Sequence, residues 1–151
     1  FDGVLTDNKV QVDQNGNESV SCSRSDGLGF DVLNILQKSA YILSSEKNVV
    51  VSERAKKLNI PVVQGVRDKA QIIKNLSEEK NVKLSKILFV GNDLNDYYAM
   101  QLCGYSACPS DSHPKIKDIA SFVLKTKGGN GVLRELLEEV FELDILEIIN
   151  K

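Results

Sequence analysis

The sequence predicts an α/β domain in which a parallel sheet is covered by helices on both faces. Short, continuous apolar runs alternate with segments whose apolar residues recur at helical spacing, which is the pattern of buried parallel strands and amphipathic helices. The chain has 151 residues, of which 42% are hydrophobic, and no linker or repeat divides it. A chain of this size buries roughly 68–70% of its unfolded surface. We therefore expect a single domain over residues 1–151.

The first predicted element is a β-hairpin within residues 9–23. Two extended segments flank Asn15-Gly16, and Asn-Gly is favoured where a two-residue hairpin turn needs positive φ. The segment 13–17 also matches the start of a calcium loop. Glu18 stands where that loop requires glycine, so the hairpin is the better interpretation.

Helices and strands then alternate to the end of the chain. The predicted helices cover residues 28–36, 50–58, 72–76, 97–102, 131–141 and 143–149. The predicted strands cover residues 40–43, 60–63, 87–90, 105–108 and 122–124.

Composition excludes several classes of function. The net charge of −2 argues against a nucleic-acid partner, because phosphate backbones are held by clustered lysine and arginine. No apolar run approaches the ~20 residues needed to span a bilayer, so no membrane partner is expected. The cysteines are three in number and fit no zinc pattern, which favours buried thiols in a reducing cytoplasm.

Polar clusters follow the predicted strands and should meet at one edge of the sheet. Carboxylate and amide oxygens suit Mg²⁺, while a serine hydroxyl and a lysine ammonium can hold phosphate oxygens. Each cluster also has a plain structural interpretation, as a turn, a helix cap or a solvated lysine. The occurrence of all four in order favours phosphoryl chemistry. The clusters are Asp2-Gly3 with Asp7, Ser44-Ser45, Arg67-Asp68-Lys69 and Gly91-Asn92-Asp93 with Asp96.

The chain resembles the haloacid dehalogenase superfamily of phosphatases. The likeness is to its capless branch, which acts on phosphorylated sugar acids. That branch contains 3-deoxy-D-manno-octulosonate 8-phosphate phosphatase, nonulosonate 9-phosphate phosphatases and the carboxy-terminal domain of acylneuraminate cytidylyltransferases. The resemblance implies a Rossmann-like sheet without a cap domain. It is carried by residues 2–7, 25–29, Lys69, 91–96, 111–114 and 128–135.

The resemblance implies a role for three catalytic residues. Asp2 matches the general acid/base, which also offers its backbone carbonyl to Mg²⁺. Ser44 matches the hydroxyl that holds the transferring phosphoryl group, and Lys69 matches the lysine that neutralises its charge. The nucleophilic aspartate would directly precede Phe1, so we expect the natural chain to continue upstream with that residue and an apolar strand.

The implied metal site departs from the family pattern at one position. The family usually has Gly-Asp-Asp-x-x-Asp, whereas this chain has Asn92 in place of the first aspartate. Asn92, Asp93 and Asp96, together with Asp2, are the expected Mg²⁺ ligands. An amide oxygen brings no charge, so we expect a lowered metal affinity.

The implied substrate site includes residues from three loops. Ser25, Asp26 and Gly27 match a loop lining the site, although Asp26 could equally cap a helix. Ser45, Glu46 and Lys47 follow Ser44, where octulosonate enzymes usually have Gly-Arg, so the Glu-Lys pair favours a nonulosonate substrate. Arg134 matches a position near the substrate carboxylate, and a surface arginine is the alternative.

Two functions remain open from the sequence. The first is a Mg²⁺-dependent phosphatase acting on a nonulosonate 9-phosphate or octulosonate 8-phosphate. The resemblance implies a homotetramer with the hairpin 9–23 at the subunit contact. The second is a non-catalytic oligomerisation domain fused to a cytidylyltransferase, which Asn92 favours. A phosphoacceptor receiver domain is disfavoured by the late Gly-Asn-Asp-x-x-Asp cluster.

Overall fold

Helices surround five short parallel strands in the computed structural model, which describes residues 1–151. The strands are β3 (Ile42–Leu43), β4 (Val62–Val63), β5 (Leu88–Val90), β6 (Tyr105–Cys108) and β7 (Phe122–Val123). The α-helices are α1 (Arg24–Ile35), α2 (Val50–Leu58), α3 (Lys69–Glu79), α4 (Tyr97–Leu102), α5 (Pro114–Ile119), α6 (Val132–Glu135) and α7 (Ile145–Ile149). The α/β prediction is confirmed. No helix is long and apolar enough to cross a bilayer.

The parallel strands form two sheets, and the start of the chain packs between them. One sheet pairs β3 with β4, and the other has the order β5-β6-β7. Residues 1–5 form a turn in which Leu5 N–H donates to Phe1 O at 2.8 Å. Leu5 packs in the core cluster that contains Ile42, whereas Val4 packs in the cluster that contains Ala107. The apolar side chains of this turn therefore join the two halves of the core.

Most predicted helices are confirmed, and local chemistry explains their ends. Ser23 caps α1 by accepting from Ser25 N, and Asp68 caps α3 by accepting from Gln71 N, as expected for residues that satisfy free N–H groups. The predicted helix 131–141 consists of α6 followed by a π-helical turn, Leu136–Val140. Helix α5 was not predicted, because its two apolar side chains, Ile116 and Ile119, are too few to show helical periodicity.

The hairpin forms within the predicted segment, but its turn is longer than expected. Strands β1 (Gln11–Val12) and β2 (Glu18–Ser19) pair antiparallel. Asp13 N–H donates to Asn17 O at 3.0 Å, so a three-residue loop, not a two-residue turn, joins the strands. Gly16 takes the left-handed conformation at φ +80°, which is typical of three-residue hairpin loops. The Asp13 carboxylate accepts from Asn15 N and Asn17 N, which turns its oxygens toward the loop's own amides.

Candidate active site

A cavity of about 110 Å³ opens at the carboxyl ends of β3 and β5. Parallel strands direct the loops that follow them to their carboxyl ends, so the clusters that follow β3 and β5 meet there although the two strands belong to different sheets. Seven of the predicted site residues line this cavity: Asp2, Ser44, Ser45, Lys69, Asn92, Asp93 and Asp96. Phe1, Val4, Asn8, Leu43, Val90 and Asn95 complete the lining.

Lys69 and Asp96 form a buried ion pair in the wall of the cavity. Lys69 Nζ donates to Asp96 Oδ1 at 2.6 Å, and their side chains are only 7% and 5% exposed. Lys69 is the first residue of α3, so the start of that helix delivers the ammonium group. The pair fixes the ammonium group in the cavity wall, with the Asp96 carboxylate directly beside it.

The second oxygen of Asp96 organises the loop after β5. Asp96 Oδ2 accepts from Asn92 N at 2.9 Å and lies 3.4 Å from Asp93 N. Gly91 is needed here, since a Cβ at that position would lie 2.6 Å from Asp96 Cβ. Both oxygens of Asp96 therefore have partners within the protein.

Gly3 lies in direct contact with Asn92, which lines the cavity. Gly3 has φ +71°, and a Cβ added to it would overlap the Asn92 amide. Gly3 N–H donates to Thr6 Oγ1 at 3.2 Å, and Thr6 is completely buried. The turn that carries Asp2 is thus fixed by a glycine, by Asn92 and by Thr6, a residue that sequence reasoning did not assign to the site.

Ser44 is held rigidly at the end of β3. Its N–H donates to Val63 O at 3.0 Å, and its carbonyl accepts from Val66 N at 3.0 Å. The hydroxyl accepts from Glu46 N at 3.2 Å. Neither serine caps α2, since Asn48 Oδ1 accepts the Val50 N–H at 3.0 Å instead.

The residues after Ser44 face different ways. Ser45 Oγ lies 3.4 Å from Asn95 Nδ2, which was another residue missed from the sequence. Glu46 Oε1 accepts from Lys47 N at 2.6 Å and from Asn48 N at 2.8 Å, so its carboxylate closes its own loop. Lys47 is exposed and does not line the cavity.

The predicted substrate residues of α1 and α6 do not line this cavity. Asp26 is 1% exposed, and its Oδ1 accepts from Leu133 N at 2.8 Å. Burial raises the pKa of Asp26, and its Oδ2 has no hydrogen-bond partner. Ser25 and Gly27 flank it on α1. Arg134 Nε lies 2.7 Å from Glu138 Oε1, in an ion pair between α6 and the π-helical turn that follows it.

The oxygen-rich lining fits Mg²⁺ better than a metal that needs a full set of protein ligands. No three histidine, cysteine or acidic side chains converge on one point. Asp2, Asn92 and Asp93 nevertheless line the same cavity with oxygen donors. Mg²⁺ commonly keeps several waters and takes one or two carboxylates together with phosphate oxygens. These donors are therefore compatible with a magnesium ion shared between protein, water and phosphate.

The chain belongs to the haloacid dehalogenase-like hydrolases, whose family profile matches residues 6–136. The resemblance expected from the motifs is confirmed. The 3-deoxy-D-manno-octulosonate 8-phosphate phosphatase of Escherichia coli K12 is 29% identical over 138 residues, which cover 91% of this chain and 73% of the relative. The enzyme of the same name from Haemophilus influenzae is 29% identical over 142 residues, covering 93% and 79%.

Solved structures share the fold over most of the chain. A HAD family hydrolase from Streptomyces avermitilis superposes with a TM-score of 0.89 at 38% identity, covering 91% of this chain and 79% of its own. The Moraxella catarrhalis octulosonate 8-phosphate phosphatase superposes with a TM-score of 0.87 at 27% identity, covering 97% and 82%. That structure contains magnesium, phosphate and the sugar acid KDO. The chain is thus a hydrolase with the fold of known phosphatases.

Proposed function

We propose that this protein is a Mg²⁺-dependent phosphatase that hydrolyses the phosphate monoester of a 2-keto-3-deoxy sugar acid through an aspartyl-phosphate intermediate. The observation that carries the proposal is the single cavity in which Lys69, Ser44 and Asp2 meet. A buried ammonium group, a hydroxyl and a carboxylate are the groups that phosphoryl transfer needs for charge neutralisation and proton transfer. The similarity to sugar-acid phosphatases supports the choice of substrate class.

The chemistry divides into two displacements. We propose that the nucleophile is the aspartate that the family motif places directly before Phe1, and that it attacks phosphorus while the bond from phosphorus to the sugar oxygen breaks. Asp2 donates its proton to that departing oxygen. In the second step, Asp2 removes a proton from water, the water oxygen bonds to phosphorus, and the aspartyl–phosphorus bond breaks to release phosphate.

Ser44, Lys69 and Asp96 have distinct supporting roles. The Ser44 hydroxyl donates to a phosphoryl oxygen, and the Lys69 ammonium offsets charge on the phosphoryl group. Asp96 orients Lys69 with one oxygen and shapes the loop of Asn92 with the other, so we assign it a supporting role around the metal site. Mg²⁺, held by Asp2, Asn92 and Asp93, would supply further positive charge to the phosphate oxygens.

Two observations bear on the number of carbons in the sugar acid. Octulosonate 8-phosphate is favoured by the names of the relatives, whereas the Glu46-Lys47 pair favours a nonulosonate 9-phosphate. We propose that the exposed Lys47 ammonium binds the carboxylate of the substrate, because Lys47 belongs to the loop that follows Ser44.

Phosphate release measured on both compounds tests the function. We expect Mg²⁺-dependent turnover of one of them by the natural protein, and none by Asp2→Asn with its folding intact. Full activity in Asp2→Asn would contradict the assigned role. An absence of turnover on both compounds would contradict the proposed function.

Asn92 favours a second candidate, a non-catalytic assembly domain attached to a cytidylyltransferase. An uncharged residue at a metal-ligand position weakens the case for catalysis. The hairpin supports an assembly role in either case, because Val10 and Val12 are 53% and 63% exposed on it. We propose a homotetramer with residues 9–23 at the subunit contact. Sedimentation of the natural protein and of a Val10→Ser/Val12→Ser variant tests this, and an unchanged tetramer in the variant would contradict it.

A further inference from the structure

We propose that Asp111 is a positioning residue that fixes the position of the Asp2-Gly3 turn relative to Asn92. The inference rests on the proposed function, since these two segments carry the proposed acid/base and metal donors. Asp111 lies in the loop between β6 and α5, outside the residues that line the cavity. It would act through the loop of Gly128, and not by touching substrate.

Asp111 contacts the backbone of Gly128. Asp111 Oδ1 accepts from Gly128 N at 3.0 Å. Gly128 is buried, and a Cβ added to it would overlap the carbonyl of Gly3 and lie 2.9 Å from Thr6 O. The backbone of Gly128 therefore packs directly on the turn that carries Asp2. The Asp111 carboxylate therefore fixes the Gly128 backbone, on which this turn packs.

The same loop also holds Asn92. His113 N–H donates to Asn92 O at 2.9 Å. The Asn92 side chain in turn packs against Gly3. Together with the loop that links His113 to Asp111, these contacts form a closed ring. We call it the brace ring; its members are Asp111, Gly128, Gly3, Asn92 and His113.

The geometry of the glycine loop supports a positioning role. Gly129 N–H donates to Val4 O at 2.9 Å, so the loop is attached to the chain start by a second bond. Beyond the loop, Asp26 Oδ1 holds the Leu133 N–H. The glycine-rich segment 128–131 is therefore flanked by two backbone N–H groups that donate to carboxylates, one to Asp111 and one to Asp26. Of these two carboxylates, Asp111 belongs to the loop that also binds Asn92. Within a closed ring, loss of one bond is expected to shift segments that the lost group never touched.

The inference is tested with the full natural chain and three variants. Asp111→Ala removes the acceptor, and Asp111→Asn keeps an acceptor oxygen while removing the charge. Asp118→Ala is the matched control, because Asp118 is exposed on α5 and its side chain takes part in none of the side-chain hydrogen bonds or ion pairs of the structure. The first readout is the set of backbone amide resonances in the metal-free protein. The second is the affinity for Mg²⁺ alone, measured by calorimetry.

We expect Asp111→Ala to shift the amide resonances of Gly3 and Asn92 and to weaken Mg²⁺ binding about tenfold, a loss of about 1.4 kcal/mol. Asp111→Asn and Asp118→Ala should stay close to wild type in both readouts. Resonance changes confined to residues 109–114 and Gly128 would overturn the inference. So would equal effects of Asp111→Asn and Asp111→Ala, since charge alone would then explain the result.

Failure of the proposed function gives a different result. A wild-type protein that neither binds Mg²⁺ nor releases phosphate would remove the enzyme assignment. The amide resonances of Gly3 and Asn92 in Asp111→Ala would still show whether Asp111 positions these two residues, because that readout needs neither metal nor substrate.

Discussion

Lys69 Nζ donates to Asp96 Oδ1 at 2.6 Å, and this contact joins helix α3 to the loop after β5. Each charged group has lost most of its water, so each depends on the other. Because the second Asp96 oxygen accepts from Asn92 N, the position of the ammonium group and the shape of the proposed metal loop are determined together. One carboxylate therefore links the proposed phosphate-binding ammonium to the proposed metal loop.

Replacing Lys69 by methionine should be costly for both folding and activity. The buried Asp96 carboxylate would lose its partner, and removal of one member of a buried pair typically costs about 3–5 kcal/mol. Urea unfolding measures the loss. Lys74→Met is the control, because Lys74 is exposed on the same helix. Equal stability of the two variants would show that the ion pair contributes nothing to folding.

Replacing Gly3 by alanine should distort the turn that carries Asp2. Gly3 and Gly16 both have positive φ, at +71° and +80°, but nothing lies within 4 Å of a Cβ added to Gly16. Gly16→Ala should therefore lose only about 1–2 kcal/mol from the left-handed backbone. Gly3→Ala adds the overlap with Asn92, and overpacking of this kind typically costs about 1–3 kcal/mol more. Thermal unfolding compares the two, and similar losses would contradict the Asn92 contact.

Short-range sequence patterns predicted the fold and the convergence of the strand-end clusters. They could not predict the contacts between distant residues that support the site. Apolar runs identify β5, and the parallel arrangement then directs Asn92 to the cavity edge. The bond from Leu133 N to Asp26 joins residues 107 positions apart, and no local pattern reports such a distance. Helix α5 was missed because its local signals are weak: it has only Ile116 and Ile119 as apolar helix positions and His113 before Pro114 at its start.

Replacing Asn92 by aspartate should increase the affinity for divalent metal. A carboxylate adds a negative charge beside Asp2 and Asp93, and ligand charge is a main determinant of affinity for hard cations. We expect Mg²⁺ binding about tenfold tighter by calorimetry. Asn95→Asp is the matched control, because Asn95 lines the same cavity but bonds to Ser45. An equal gain in both variants would mean that general charge, and not ligation at position 92, sets the affinity.

The buried Asp26 should give the protein a component of stability that declines as pH rises. Burial outweighs the hydrogen bonds from Leu133 and the neighbouring backbone and raises the pKa of Asp26 above its usual 3.8. The folded state therefore binds this proton more tightly than the unfolded state. The free energy of unfolding falls as pH rises from 3.8 through the raised pKa.

Asp26→Asn should remove this dependence, because asparagine keeps an acceptor for Leu133 N and carries no titrating group. Relative to wild type, the variant should gain stability between pH 4 and pH 7, about 1.4 kcal/mol for each unit of pKa shift. Urea unfolding at the two pH values measures the difference. Asp31→Asn, at an exposed position of the same helix, controls for the lost charge. A wild-type-to-variant difference that does not change with pH would show that Asp26 is ionised in the folded protein at its ordinary pKa.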